Sequence, residues 1–341
     1  MKGSPFGWAT EIAGSTRIPA IFNNLFAIRV STGRLSALGI ASSNQNLPLC
    51  NTTVGMISYD LSFLQHMCRL TLGATAYQED PAWLDMPWRE ARFQEVESRK
   101  PTFAVLLEDQ HVRPQPPLQR ALRHLTQSLR AQGYEVVAWQ PPSHKEAVET
   151  LFRMIGADGA KDIRANIASS GEPPVPQLKK WFFEHHDPPN LSVSEYWALC
   201  KSRMDYIAAY HSYWLSSKQI NITQRPIDGV IMPVVAQVAC YENELNYFGY
   251  SAIVNLLDFT SVALPVTFVD RDRDLPDTRR VMLNAEDAQI QTSYDPSTFH
   301  GMPVGIQIMC RRAEEEVALA LANIVSEVYR RNGELLQLNT T

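Results

Sequence analysis

The chain has 341 residues, enough on length alone for roughly two domains, and 45% hydrophobic against 20% charged residues is ordinary globular composition with material for a sizeable core. A formal charge of -5 leaves no basic face for nucleic acid or for an anionic membrane, so neither is expected as a partner. Cys50, Cys68, Cys200, Cys240 and Cys310 are scattered and odd in number, with no C-x-x-C spacing. That usage fits free thiols in a reducing, cytoplasmic setting better than a disulfide frame or a zinc site. The first ten residues carry no basic segment followed by an apolar one, so no signal peptide is read. The longest apolar run, Val230 to Cys240, is interrupted by Pro233 and Gln237 and is too short to span a bilayer. The sequons at Asn51, Asn190, Asn221 and Asn339 read as chance.

The first informative stretch is Gly3 to Ala20, dense in small residues, with Ser15 directly behind Ala13-Gly14 and Arg17-Ile18-Pro19-Ala20 following. Small residues let backbone N–H groups converge, which is what an oxyanion hole requires, and Ser15 then stands where a nucleophile would attack a carbonyl. By itself a Gly-Ser pair is more often a turn. Apolar sequence with Phe22, Phe26, Ile28 and Val30 leads on to Ser31-Thr32-Gly33-Arg34. Asp60 is placed to cap a helix carrying Leu61, Leu64 and Cys68 on one face. Asp80-Pro81 to Pro87-Trp88-Arg89 reads as a connector.

A β-α-β unit follows. Phe103 to Leu107 is a short buried strand, and Pro116-Pro117 opens a helix with Leu118, Leu122, Leu125 and Leu129 at helical spacing. Gly133 closes that helix, and Tyr134 to Trp139 is a second strand. This length predicts parallel pairing through a right-handed crossover. His144-Lys145-Glu146 reads as a helix start in solvent.

The segment Leu151 to Leu215 is rich in aromatics, including Trp181-Phe182-Phe183, Tyr196-Trp197, Tyr206, Tyr210 and Tyr213-Trp214. Such a set can line an apolar or aromatic ligand site, although the helical spacing of Tyr206, Tyr210 and Trp214 favours plain core. His185-His186-Asp187 precedes a Pro pair and reads as an exposed loop, with no metal implied. Asp228 to Pro233 is a strand, with Tyr250–Asp258 and Ser261–Val266 as its expected partner region. Arg271 to His300 is expected as a surface excursion. Gly301-Met302-Pro303-Val304-Gly305-Ile306-Gln307-Ile308 is a late strand. Glu314 to Tyr329, with Leu319, Ala322, Ile324 and Val328, closes as an amphipathic helix.

The run Glu11-Ile12-Ala13-Gly14-Ser15-Thr16-Arg17-Ile18-Pro19 resembles the second half of the amidase signature, Asp-Ile-Gly-Gly-Ser, a variable residue and Arg-x-Pro. The turn at Ser31 to Arg34, the Asp80 to Arg89 connector, the two blocks near Asp228 and Tyr250, and the Pro-Val-Gly-Ile-Gln strand are similar to further blocks of fungal-type amidases. They occur in family order across nearly the whole chain. The resemblance implies an α/β amidase-signature fold, a twisted mixed β-sheet flanked by helices, as a single domain over residues 1–341. It implies Ser15 as acyl-enzyme nucleophile, the backbone N–H groups of Ile12, Ala13, Gly14 and Ser15 as the oxyanion hole, and Arg17 as a structural anchor. Glu11 in place of Asp and Ala13 in place of Gly depart from the pattern.

The implied activity is hydrolysis of a small aliphatic or aromatic carboxamide to the acid and ammonia or an amine, with no cofactor. The small-molecule amide is the partner, a homo-oligomer is compatible with the reading, and nitrogen use, detoxification and secondary metabolism are all open roles. The family keeps a Lys and a second Ser N-terminal to the nucleophile. Only fourteen residues precede Ser15, Ser4 belongs to a later block, and Lys2 is too near in sequence. The expectation is a chain truncated at its N-terminus, without the base and its relay. A base typically contributes ~10²–10⁴-fold and relay members fail together, so an isolated Ser15 is expected to be nearly inert. The rival reading is therefore a non-catalytic remnant that binds a ligand or partner, with open sheet edges prone to association. A histidine-based serine hydrolase is a third reading, without a recognisable triad motif among the eight histidines.

Overall fold

The computed structural model describes residues 3–43, 47, 49, 52–74, 79–179, 190–276 and 281–331. Among them eight strands follow in chain order: Phe6–Glu11 (β1), Phe26–Arg29 (β2), Thr53–Ser58 (β3), Thr102–Val105 (β4), Glu135–Ala138 (β5), Gly229–Pro233 (β6), Thr260–Phe268 (β7) and Pro303–Cys310 (β8). They form one mixed sheet in the order β1-β3-β2-β7-β8-β6-β4-β5. The pairs β4·β5 and β4·β6 are parallel and the rest antiparallel.

The β-α-β unit is as expected: helix Pro116–Ala131 crosses from β4 to β5, and Thr102 lies opposite Glu135 in the parallel register. Gly133 adopts φ +79° where the chain leaves that helix, the conformation a glycine allows at low cost. The expected pairing of the Asp228 strand was wrong. Residues Gly249–Leu257 form a helix, and β7 pairs with β2 and β8, because β8 inserts between β7 and β6.

Alternation along the strands builds a core on each face of the sheet. One side takes Phe103, Val105, Ile231, Val262, Leu264, Ile306 and Ile308 together with helices Leu61–Leu72, Pro116–Ala131 and Glu315–Arg331. The other takes Ala104, Val230, Met232 and Met309 with helices His144–Ile155, Val193–Ser216 and Gly249–Leu257. Tyr210 and Trp214 are buried there around Trp139, so the aromatic spacing on that helix is core, as its periodicity indicated. Asp60 caps its helix by accepting from the Phe63 N–H at 2.7 Å.

Three surface expectations change. His144 does begin a helix, capped by Ser143, but its side chain is buried against Tyr210, since the first turn faces the aromatic core rather than water. The Arg271 to His300 region contains helices Ala285–Thr292 and Pro296–Phe299 and contributes buried Ile290, Tyr294 and Phe299; buried Asp287 accepts the Arg113 N–H at 2.9 Å. The last helix, Glu315–Arg331, is buried on all sides in its first two turns. Its Glu315 and Glu316 take Arg34 at 2.8 Å each, and Glu316 also takes Arg89 at 2.7 Å, while the later turns are amphipathic as expected, with Val325, Val328 and Tyr329 buried and Glu327, Arg330 and Arg331 exposed. Cys68, Cys200, Cys240 and Cys310 are free thiols. Cys50, Trp181-Phe182-Phe183 and His185-His186-Asp187 lie outside the described residues.

Candidate active site

The turn that follows β1 carries Ser15. Glu11, the last residue of β1, is buried and its carboxylate accepts the backbone N–H groups of Thr16 at 3.1 Å and Arg17 at 3.3 Å. It also pairs with the Arg17 guanidinium, Nε lying 2.9 Å from Oε1 and Nη2 closing the pair. One acidic side chain thus spans the turn and caps the start of helix Arg17–Phe22, so the longer Glu is accommodated where the family pattern has Asp. Charge-assisted bonds of this kind are the strong ones.

Arg17 is fully buried and reaches beyond the turn. Nη2 donates to the Ser251 carbonyl at 2.9 Å and to Asn255 Oδ1 at 2.8 Å, and Nη1 donates to Gln307 Oε1. Burial lowers its pKa from the ordinary guanidinium value, with the Glu11 charge and hydrogen bond opposing that shift. Gln307 on β8 is the hub of the network. Its amide donates to the carbonyls of Pro233 at 2.7 Å and Tyr250 at 2.8 Å, and Ser261 donates to its oxygen at 2.9 Å. Arg17 therefore ties the serine turn to β8 and to helix Gly249–Leu257. Ser251 adds a second tie, its hydroxyl donating to the Ala13 carbonyl at 2.7 Å.

Gly14 sits at φ +131°, and a Cβ there would lie 2.7 Å from Ile18 Cδ1 and from Ser251 Cβ and Oγ. Both the backbone and the packing require glycine. Ala13 is not among the positive-φ residues, so the family's glycine is dispensable at that position. Among the described residues the N–H groups of Ile12, Ala13, Gly14 and Ser15 donate to no protein acceptor, nor does the Ser15 hydroxyl hydrogen-bond to any side chain. Ser15 is exposed at the start of the turn while its neighbours Gly14, Thr16 and Arg17 are buried.

Ser15 opens onto a cavity of about 390 Å³ whose walls include Ile18, Phe22, Cys240, Leu245 and Phe248. None of the described histidines lines it. A larger cavity of about 720 Å³ lies between helix Pro116–Ala131 and the segment around Tyr294. It holds none of the signature residues, and its Arg120 is committed to Asp274 at 2.6 Å. Among the described residues no cluster of three metal-ligating side chains occurs, and no helix is long and apolar enough to cross a membrane.

The structure gathers Ile12, Ala13, Gly14, Ser15 and Arg17 into one turn. The sequence reading did not single out Ser251 or Asn255, because a buried serine and asparagine on an apolar helix carry no periodic signal. Gln307 was visible only as the end of the Pro-Val-Gly-Ile-Gln motif.

A mixed sheet that presents a serine on such an anchored turn is the amidase-signature architecture. The structure superposes on fatty acid amide hydrolase with a TM-score of 0.85 at 26% identity, covering 95% of this chain and 56% of that one. Residues 1–319 match the family described as Amidase, and the chain belongs to that family. It is 32% identical to the acetamidase of Aspergillus oryzae (strain ATCC 42149 / RIB 40) over 96% of this chain and 60% of that protein. It is 30% identical to the acetamidase of Emericella nidulans over the same shares, and 33% identical to Amidase 2 of Gibberella moniliformis over 93% of this chain and 57% of that protein. The chain spans about 60% of the length of the acetamidases it matches.

Proposed function

We propose that residues 1–341 act as one amidase-signature domain that hydrolyses a small aliphatic or aromatic carboxamide through a Ser15 acyl-enzyme. The observation that carries the reading is the Ser15 turn, where an exposed serine on a cavity adjoins four successive N–H groups that have no acceptor among the described residues. Ser15 Oγ attacks the amide carbon, and the carbonyl oxygen takes up the negative charge against the N–H groups of Ile12, Ala13, Gly14 and Ser15. Fixed donors of this kind stabilise the developing charge because they need no reorganisation. Collapse of the tetrahedral adduct expels ammonia or an amine once the nitrogen is protonated, and water then releases the acid from the ester. No cofactor enters this chemistry. Arg17 and Glu11 hold the turn and do not touch the substrate. The proton on Ser15 needs a base, a role the family resemblance gives to a Lys and an intervening Ser. The names of the relatives, acetamidases and amidases, support the substrate class. The dispersed free thiols support a cytoplasmic setting.

The test is intact-mass analysis after exposure to a serine-reactive fluorophosphonate, beside Ser15→Ala. A single adduct on the parent chain that vanishes in the variant is the expected result. No adduct on a protein with a cooperative unfolding transition would overturn the nucleophile assignment and leave the ligand-binding remnant.

A further inference from the structure

The walls of the Ser15 cavity follow from the local sequence. Helix Arg17–Phe22 begins two residues after Ser15, and its Ile18 and Phe22 are four apart, hence on one face. That face lines the cavity. Ile18 is registered to the turn itself, because its N–H donates to the Gly14 carbonyl at 2.9 Å. Leu245 and Phe248 add to the apolar lining, and Phe248 is held edge-on to Phe152 with ring centroids 6.0 Å apart. Among the described residues lining the cavity, Glu242 alone is charged. The volume of about 390 Å³ falls within the range of sites that enclose drug-sized ligands, about 300–1,000 Å³. An acetyl group would touch only a small part of these walls.

We propose that this cavity selects neutral carboxamides whose acyl part is an apolar group of six to eight carbons, roughly hexanoyl or phenylacetyl in size, over acetamide and over carboxylates. Calling the bound amide a substrate rests on Ser15 as nucleophile; the binding preference does not. Each methylene moved from water to an apolar wall is worth about fourfold in affinity. Hexanamide carries four more than acetamide, so complete burial would give a factor of about 250. The cavity mouth is open, and the preference expected is at least about thirtyfold. The negative charge at Glu242 opposes a ligand carboxylate in the same space.

Cys240 supplies a reporter that needs no turnover, since Cys240 lines the cavity, whereas Cys200 lies on helix Val193–Ser216 and is not among its lining residues. Burial, with Glu244 nearby, raises the Cys240 thiol pKa, so labelling with N-ethylmaleimide is run at mildly alkaline pH. Adducts at Cys240 and Cys200 are followed by peptide mass spectrometry against acetamide, hexanamide, phenylacetamide and hexanoate. Hexanamide and phenylacetamide should slow Cys240 labelling at concentrations at least about thirtyfold below acetamide, with Cys200 unchanged and hexanoate at least about tenfold weaker than hexanamide. Leu245→Ser should bring hexanamide closer to acetamide by about fivefold or more. Equal protection by acetamide and hexanamide, no protection by any of them, or parallel slowing at Cys200 would overturn the proposal. Protection by hexanamide without a fluorophosphonate adduct on Ser15 would uphold the selectivity and overturn the nucleophile assignment alone.

Discussion

Replacing Gly14 by alanine tests how the serine turn is built. Two costs follow from the structure. The backbone at φ +131° is one that residues with a Cβ rarely adopt, worth about 1–2 kcal/mol. The new methyl would sit 2.7 Å from Ile18 Cδ1 and from Ser251 Cβ and Oγ, and overpacking of this kind costs about 1–3 kcal/mol. Ser251 has little room to yield, because its hydroxyl already donates to the Ala13 carbonyl at 2.7 Å. The total is about 2–5 kcal/mol. With a urea m-value of about 3 kcal/mol/M, the midpoint should fall by about 0.7–1.7 M with m unchanged. Ala13→Gly is the control. Ala13 holds an ordinary φ, so its cost is the added freedom of the unfolded chain, about 0.4–1 kcal/mol. Gly14→Ala should also lose the fluorophosphonate adduct under conditions where it remains folded, because the N–H groups beside Ser15 are displaced. A Gly14→Ala midpoint within about 0.2 M of the parent, or a larger loss at Ala13→Gly, would refute the account of the turn.

Arg17→Met should destabilise by about 3–5 kcal/mol, since it strands the buried Glu11 carboxylate and leaves Gln307 and Asn255 short of a donor; adding Glu11→Gln should recover part of that loss in a urea double-mutant cycle. Burial holds the His144 imidazole down to about 3, well below its ordinary value. The folded state therefore keeps His144 neutral while the unfolded chain takes up a proton below about pH 6.5, so stability is full above that pH and declines as pH falls from 6.5 towards 3. The slope is at most about 1.4 kcal/mol per pH unit, and urea midpoints at pH 7.5 and 5.5 should show it in the parent and lose most of it in His144→Phe. Asp60→Ala removes the bond accepted from the Phe63 N–H and should cost about 1 kcal/mol, read as a lower midpoint without change in m.

Local chemistry made a good part of this protein readable before its structure. The helix opened by Pro116-Pro117 and closed by Gly133 and the Asp60 cap depend on residues a few positions apart, and the parallel β4–β5 pair follows from the strand-helix-strand order of that one stretch. Periodicity and capping act over that range. The Ser15 turn was readable for a related reason: its glycine, its serine and the Arg-x-Pro behind them are consecutive, so the motif and its departures at Glu11 and Ala13 stand in one line of sequence. Even the reading of Tyr210 and Trp214 as core needed only their spacing of four.

Tertiary contact decided the rest. Nothing near Asp228 specifies that β8, some seventy-five residues later, will insert beside β6 and leave β7 to pair with β2. His144 and the Glu315-Glu316 pair look like solvent-facing residues at helix starts, and both are buried, because the partners that make burial tolerable come from distant segments: Tyr210 for one, Arg34 and Arg89 for the other. The site follows the same division. The motif made Ser15 the candidate nucleophile, but Ser251, Asn255 and Gln307 hold its turn from more than two hundred residues away, and a buried hydrogen bond is determined by which groups the whole fold leaves unsatisfied together.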